Sequence, residues 1–189
     1  MKKWLVGLTG SIASGKSTAL TDLAACGAYT ISADELVREL YQTAPVQRQL
    51  MRWFSTTDTD EISRVVFTAP HKRKQLEDFL HPLVWQRAQE KLAATPALWA
   101  VFEVPLLFES GWDKRMDVTV LITAGLRTQA ARLKARGLSQ KQYQARRQAQ
   151  LGEEEKIKRA DIVVYNDGTT TDLEIKMKRL YQAFSTLYV

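Results

Sequence analysis

Eight residues near the start of the chain, Gly10-Ser11-Ile12-Ala13-Ser14-Gly15-Lys16-Ser17, have the types and spacing to hold phosphate. They fit the pattern G-x-x-x-x-G-K-[S/T]. Gly10 and Gly15 let the backbone turn tightly and approach oxygen atoms without a side chain between. The loop's N–H groups then point inward as an anion nest. Lys16 puts a positive charge on the outer phosphates, and the Ser17 hydroxyl offers an oxygen to Mg²⁺. A helix starting here adds the positive end of its dipole.

Other residues could join this chemistry, each against a plainer alternative. Asp34 follows a short β-prone stretch closely and could take a proton from a hydroxyl or hold Mg²⁺ through water. An acid in a helix's first turn is also favoured by the dipole alone. Glu103 ends an apolar run, where a carboxylate could stand near Mg²⁺ or simply be a solvated strand end. Arg132 and Arg136 share a helix face, and Arg146 and Arg147 lie between Gly137 and Gly152. Arginines on a segment over a phosphate loop could neutralise a transferred phosphoryl group. Taken alone, they read first as a solvated helix face. His81 lies in apolar company and reads first as structural.

The elements that must position these residues alternate. Lys3–Thr9 is a first strand, and a helix follows the loop with Leu20, Leu23 and Ala24 at helical spacing, closed by Gly27. Ala28–Ile31 reads as a second strand, with Ser32 and Glu35 as a capping box for a helix to about Gln42. From Pro45 to Ala94 the pattern is helical, with breaks expected at Ser55–Asp60, Pro70 and Pro82. Strands follow at Leu98–Val104, Asp117–Ile122 and Asp161–Tyr165, and helices at Thr128–Arg136 and Glu153–Ala160. The last helix should bury Leu173, Met177, Leu180, Phe184 and Leu187. Near-continuous apolar strands between helices predict an α/β fold, a parallel five-stranded sheet covered on both faces. Ligands in such sheets bind beyond the carboxyl ends of the strands. That rule would gather the loop, Asp34, Glu103 and Asn166 on one rim.

The chain of 189 residues is long enough for one core with an inserted subdomain. One cysteine, Cys26, excludes an internal disulfide framework and fits a reducing compartment. No apolar run nears the ~20 residues of a membrane span. The N-terminal apolar stretch reads as a strand and not a signal peptide, so a cytoplasmic location is expected. The net charge of +6 suits either nucleic acid or small polyanions. The phosphate loop favours small anionic ligands, and neither nucleic acid nor a membrane is an expected partner.

The chain resembles the dephospho-CoA kinases nearly end to end. Val6–Ser17 looks like that family's G-L-T-G-x-I-x-S-G-K-S. Ile31-Ser32-Ala33-Asp34 with Arg38-Glu39 is similar to its D-A-D-x-x-x-R-E, with Ser32 for the first Asp. Leu76-Glu77 with His81-Pro82 matches L-E-x-x-x-H-P, and Val104–Glu109 matches V-P-L-L-F-E. Ala145-Arg146, Gln150, Glu154-Glu155-Lys156, Ala160-Asp161 and Asn166-Asp167-Gly168 follow its A-R-x-x-x-Q…E-E-K…A-D…N-x-G order. Glu103 stands where the family often has Asp, and Phe54–Phe67 looks shorter than usual.

The resemblance implies transfer of the ATP γ-phosphate to the 3′-hydroxyl of dephospho-CoA, with Mg²⁺ as cofactor. It implies a P-loop kinase unit with its nucleotide-binding core at about 1–33, 97–136 and 153–189. A helical CoA-side insert would occupy about 34–96 and a lid about 137–152. Asp34 would be the general base, with Lys16 and Arg146 also catalytic. Ser11, Ile12, Ala13, Ser14, Gly15, Lys16, Ser17, Thr18 and Asn166 would bind ATP, Ser17 serving the metal. Asp34, Arg38, His81, Pro105 and Leu106 would meet dephospho-CoA. A monomer is expected. The alternatives are another small-molecule P-loop kinase, acting on a nucleoside or nucleotide, and a catalytically silent nucleotide-binding regulator.

Overall fold

The computed structural model describes residues 3–135 and 150–187. They form two compact units, one of residues up to Ile31 together with those from Thr95 onward, the other Ser32–Ala94.

The first unit is built on a five-stranded sheet of order β2-β3-β1-β4-β5. Its strands are β1 (Trp4–Gly10), β2 (Tyr29–Ser32), β3 (Trp99–Glu103), β4 (Val118–Thr123) and β5 (Ile162–Tyr165). Parallel pairing sets Leu8 beside both Glu103 and Val120, Gly10 beside Ile122, and Thr123 beside Tyr165. The carboxyl ends of β1, β3, β4 and β5 therefore finish along one rim. The apolar runs bury both faces, as a parallel sheet requires. On one face Val6, Leu8, Val101, Val120 and Ile122 pack with Ala19 and Leu23 of α1 (Lys16–Ala25) and with Leu173, Met177 and Phe184 of the C-terminal helix. On the other, Phe102 meets Trp112 of a 3₁₀ turn, their rings 5.8 Å apart.

The opposite rim is pinned by carboxylates. Asp117 accepts from Leu5 N, and Asp161 accepts from both the N–H and the hydroxyl of Thr119, all within 2.8 Å. Asp161 thus serves strand pairing.

The second unit holds α2 (Ala33–Tyr41), α3 (Ala44–Phe54), α4 (Thr59–Thr68) and α5 (Pro70–Ala94). Its own core is Val46, Leu50, Ile62, Leu76 and Leu80, with Trp53 edge-on to Phe79. Asp58 caps α4, accepting from the N–H groups of Asp60 and Glu61.

Local readings differ from the structure at four points. Ser32 stands at the N-cap of α2 with extended backbone, but its side chain makes no cap hydrogen bond, so the capping box is absent. In α1 the inward residue is Ala19, while Ala24 faces out. Leu187, in the final turn of the last helix, is 69 % exposed. Pro82 does not break α5, which runs through it. An interior proline costs a helix about 3 kcal/mol. Leu76, Leu80, Val84, Ala88 and Leu92 line the buried face on both sides of it. Burying each large apolar side chain is worth about 1.5–3 kcal/mol, so packing wins.

That balance is testable. The Pro82 ring is exposed, so it has little packing to lose. Pro82→Ala regains a helix N–H at the price of a looser unfolded chain, and should stabilise the protein by about 1–2 kcal/mol in denaturant unfolding. A less stable variant would show that the ring itself supports α5.

Candidate active site

The phosphate loop leaves β1 at Gly10 and enters α1 at Lys16. The two loop glycines act differently. Gly15 takes φ 100°, and a Cβ there would stand 2.2 Å from Asn166 Nδ2. Gly10 serves close approach, since its Cβ would lie 2.6 Å from the Ile122 carbonyl oxygen. A third loop residue, Ala13, takes φ 60° without being glycine. Such a position costs of order 1–3 kcal/mol and persists only where the surroundings enforce it.

Charge is arranged around the mouth of the loop. Lys16 forms an ion pair with the Glu103 carboxylate at the end of β3. Glu103 is 4 % exposed, so it is a buried counter-ion and not a solvated strand end. Ser17, the next residue, is exposed. Ser14 is buried and its N–H is turned onto Ser11 O at 3.1 Å. That bond keeps the Ser14 N–H from an anion, while the Ser14 Oγ is buried without a hydrogen-bond partner among the described residues. Ile12 and Thr18 are half-buried within the same arc.

Behind the loop stand Arg132, of α6 (Leu126–Ala135), and Asn166, just past β5. Arg132 donates to the carbonyls of Ala13, Ser14 and Asn166 at 3.0–3.3 Å. Asn166, 4 % exposed, donates from its amide to Ser14 O at 2.8 Å. Arg132 is thus fastened to the loop, against the expectation of a solvated helix face. Beside the loop, Glu153 opens α7 (Glu153–Arg159) and accepts from the hydroxyls of Ser11 and Thr123. A small cleft of about 90 Å³ lies here, between Ser11 and Ile12 and the stretch from Gln150 to Glu153.

Pro105 and Leu106 follow β3 after the buried Val104 and are half-buried, with Thr9 donating to Pro105 O. In the second unit, Asp34 lies in the first turn of α2, exposed, two residues past the last residue of β2. Arg38, one turn on, donates from Nε to Asp34 O at 3.4 Å. His81 is half-buried within α5. Arg136 and Arg146 and most of the lid expected at 137–152 lie outside the described residues.

Sequence reasoning passed over Glu153 and took Lys156 only as part of the Glu154-Glu155-Lys156 motif that carries the family resemblance, with no partner for its charge. Lys156 is wholly buried, with its Nζ 3.3 Å from Glu109 Oε1, and Arg159 bonds Asp113 at 2.8 Å. An acid run followed by basic residues resembles any charged helix. Only the partners distinguish these side chains.

The turn after β5 is tied to the turn after β4 through Asp167, which accepts from Gly125 N at 2.7 Å and from the Thr128 hydroxyl at 2.8 Å. The Gly125 bond first, then Thr128, holds the Asp167 carboxyl below its ordinary value of 3.8. A depressed carboxylate adds stability that is present above the unfolded value and lost as pH falls through the folded one. Asp167→Asn should therefore be less stable than wild type at pH 7, with the gap closing below about pH 4. Unfolding curves at pH 7 and pH 3 test this. A gap that does not narrow at all between pH 7 and pH 3 would show that ionisation is not its source.

Comparison with known proteins agrees with this arrangement. The dephospho-CoA kinase family model matches residues 4–172. A dephospho-CoA kinase of Symbiobacterium thermophilum is 37% identical over 194 residues, covering 95% of this chain and 80% of that protein. One from Thermus thermophilus is 37% identical, covering 92% and 88%. A crystal structure from Thermus thermophilus superposes with a TM-score of 0.87 at 35% identity, over 97% of this chain and 98% of that one. A dephospho-CoA kinase structure from Campylobacter jejuni gives 0.69 at 25% identity over the whole of both chains. A shikimate kinase from Acinetobacter baumannii, at 15% identity and a TM-score of 0.55, shares the fold alone. A phosphate loop with Lys16 set on a buried acid, on a parallel sheet matched along nearly its whole length, leaves one assignment: the chain belongs to the dephospho-CoA kinase family.

Proposed function

We propose that this chain transfers the γ-phosphate of ATP to the 3′-hydroxyl of dephospho-CoA, the closing step of coenzyme A biosynthesis. The observation that carries the reading is the Lys16–Glu103 pair at the mouth of the phosphate loop, in a chain of this family. Little covalent chemistry falls to the protein in phosphoryl transfer, so positioning and charge do most of the work. Glu103 keeps Lys16 extended along the rim where outer phosphates would lie, and those phosphates compete with Glu103 for the ammonium donors.

Magnesium suits the donor set. Mg²⁺ binds through one or two protein oxygens together with phosphates and waters, and does not need a protein cage. The Ser17 hydroxyl is exposed at the start of α1, and the Glu103 carboxylate stands beside Lys16. When bound, Mg²⁺ would neutralise phosphate charge and help align the γ-phosphate. Asp34 takes the proton of the acceptor hydroxyl, and its exposure at the start of α2 supports that role. Arg38 and His81 serve the anionic acceptor, and Pro105 and Leu106 flank it. The basic balance of the chain serves two polyanionic small molecules. No helix of the described residues is long and apolar enough to cross a membrane, and we place the protein in the cytoplasm as a monomer.

Two outcomes test the assignment. Positioned bases contribute about 10²–10⁴ in rate. Asp34→Asn should lower kcat by that factor with little change in KM, read as coenzyme A formed, by mass spectrometry, across Mg²⁺ concentrations. Full turnover would reduce Asp34 to a helix-start acid, and no coenzyme A from wild type would discard the acceptor. Lys16→Ala should cut turnover by roughly 10²–10³ and also lower stability, because it takes the cation from a buried carboxylate. Adding Glu103→Gln should recover stability but not turnover. Recovery of turnover would mean that Lys16 is structural.

A further inference from the structure

We infer that Arg132 is a positioning residue that holds the phosphate loop in its anion-binding shape from behind, through the strained residue Ala13. The inference rests on the kinase reading for the identity of the ligand, ATP.

Ala13 sits at φ 60° with its side chain buried. A non-glycine residue in the left-handed region needs something to keep it there. Its carbonyl is held by Arg132 Nη1 at 3.3 Å, and the same nitrogen lies 3.2 Å from Ser14 O. The other terminal nitrogen, Nη2, donates to Asn166 O at 3.0 Å. Asn166 closes the figure, donating its amide to Ser14 O, while its own N–H donates to Thr123 O at 2.7 Å. The brace is thereby anchored to the end of β4.

The consequence for binding comes from peptide planarity. In a trans peptide the C=O of one residue and the N–H of the next point in opposite directions. Drawing the Ser14 carbonyl back onto Arg132 and Asn166 turns the Gly15 N–H forward, toward the anion side. Drawing the Ala13 carbonyl back turns the Ser14 N–H away from Arg132, onto Ser11 O. Both terminal nitrogens of Arg132 are committed to backbone carbonyls, so its part is to shape the nest. A planar fork can meet carbonyls on two chain segments at once, which an ammonium cannot.

The test is direct calorimetry of ATP binding without acceptor, on variants whose folding is checked by circular dichroism. Arg132→Gln should weaken ATP binding by roughly tenfold or more, since it removes charge-assisted hydrogen bonds. Arg132→Lys should also weaken it, and stands in if the glutamine variant does not fold. The decisive step repeats both substitutions in an Ala13→Gly background. Glycine adopts φ 60° without strain, so less holding is needed. The fold-loss caused by changing Arg132 should then be at least threefold smaller, a coupling that a double-mutant cycle isolates. Equal fold-losses in both backgrounds, or no loss at all, would overturn the brace. A wild-type chain that binds ATP yet forms no coenzyme A would sink the acceptor assignment and leave this inference standing.

Discussion

Where β1 runs out into the phosphate loop, Gly10 lies so close to β4 that a Cβ would be 2.6 Å from the Ile122 carbonyl and from Ser14 Oγ. The rest of the site depends on that approach. It lets the loop fold down over the ends of β1 and β4 and buries Ser14. It also sets the Ala13 and Ser14 carbonyls within reach of α6, which leaves β4 only two residues later. Loop carbonyls turned from water need donors, and here the donors are side chains of neighbouring crossovers. The nest on the front and the brace at the back are two sides of the same peptides.

The two rims of the sheet use acids for opposite purposes. At the amino rim, Asp117 and Asp161 complete the hydrogen bonding of strand starts. At the carboxyl rim, Glu103 and Glu153 meet a lysine and two hydroxyls around the loop. Parallel strands send every crossover out from the same rim, so side chains distant in sequence converge there. Ser11, Glu103, Thr123 and Asn166 come from four different strand ends, and the pairing register alone brings those ends together.

Convergence of this kind decides which parts were legible in the sequence. The strands were readable because each is a continuous apolar run, and the loop because its glycines and lysine have a fixed spacing. Glu103 was legible as an acid at a strand end, but not as a buried partner of Lys16, since that depends on β3 lying next to β1. Arg132 was misjudged because an arginine on a helix face looks the same whether it meets water or three carbonyls. Pro82 was misjudged because its local cost is visible in the sequence, while the buried stripe of α5 that outweighs it depends on α2–α4. Glu153 carried no signal beyond its place in an acidic helix start, where dipole preference hides a specific bond.

The charges under the P-L-L-F-E segment extend the same argument. Lys156 is wholly buried against Glu109, whose Oε1 also accepts from Leu151 N at 2.8 Å. Arg159 bonds Asp113 and lies 5.0 Å from the Phe108 ring. Desolvation takes back most of what a buried ion pair gains, so these contacts add little to net stability, although losing one partner costs about 3–5 kcal/mol. Their effect is geometric. They fix α7 to the segment that begins at Pro105, so that Glu153, at the head of α7, meets Ser11 and Thr123 in one place. A hydrophobic contact of equal strength could slide. The directed bonds here, from Arg159 to Asp113 and from Leu151 N–H to Glu109, cannot slide without breaking, and a loop that must hold phosphates to within a fraction of an ångström needs neighbours of that kind.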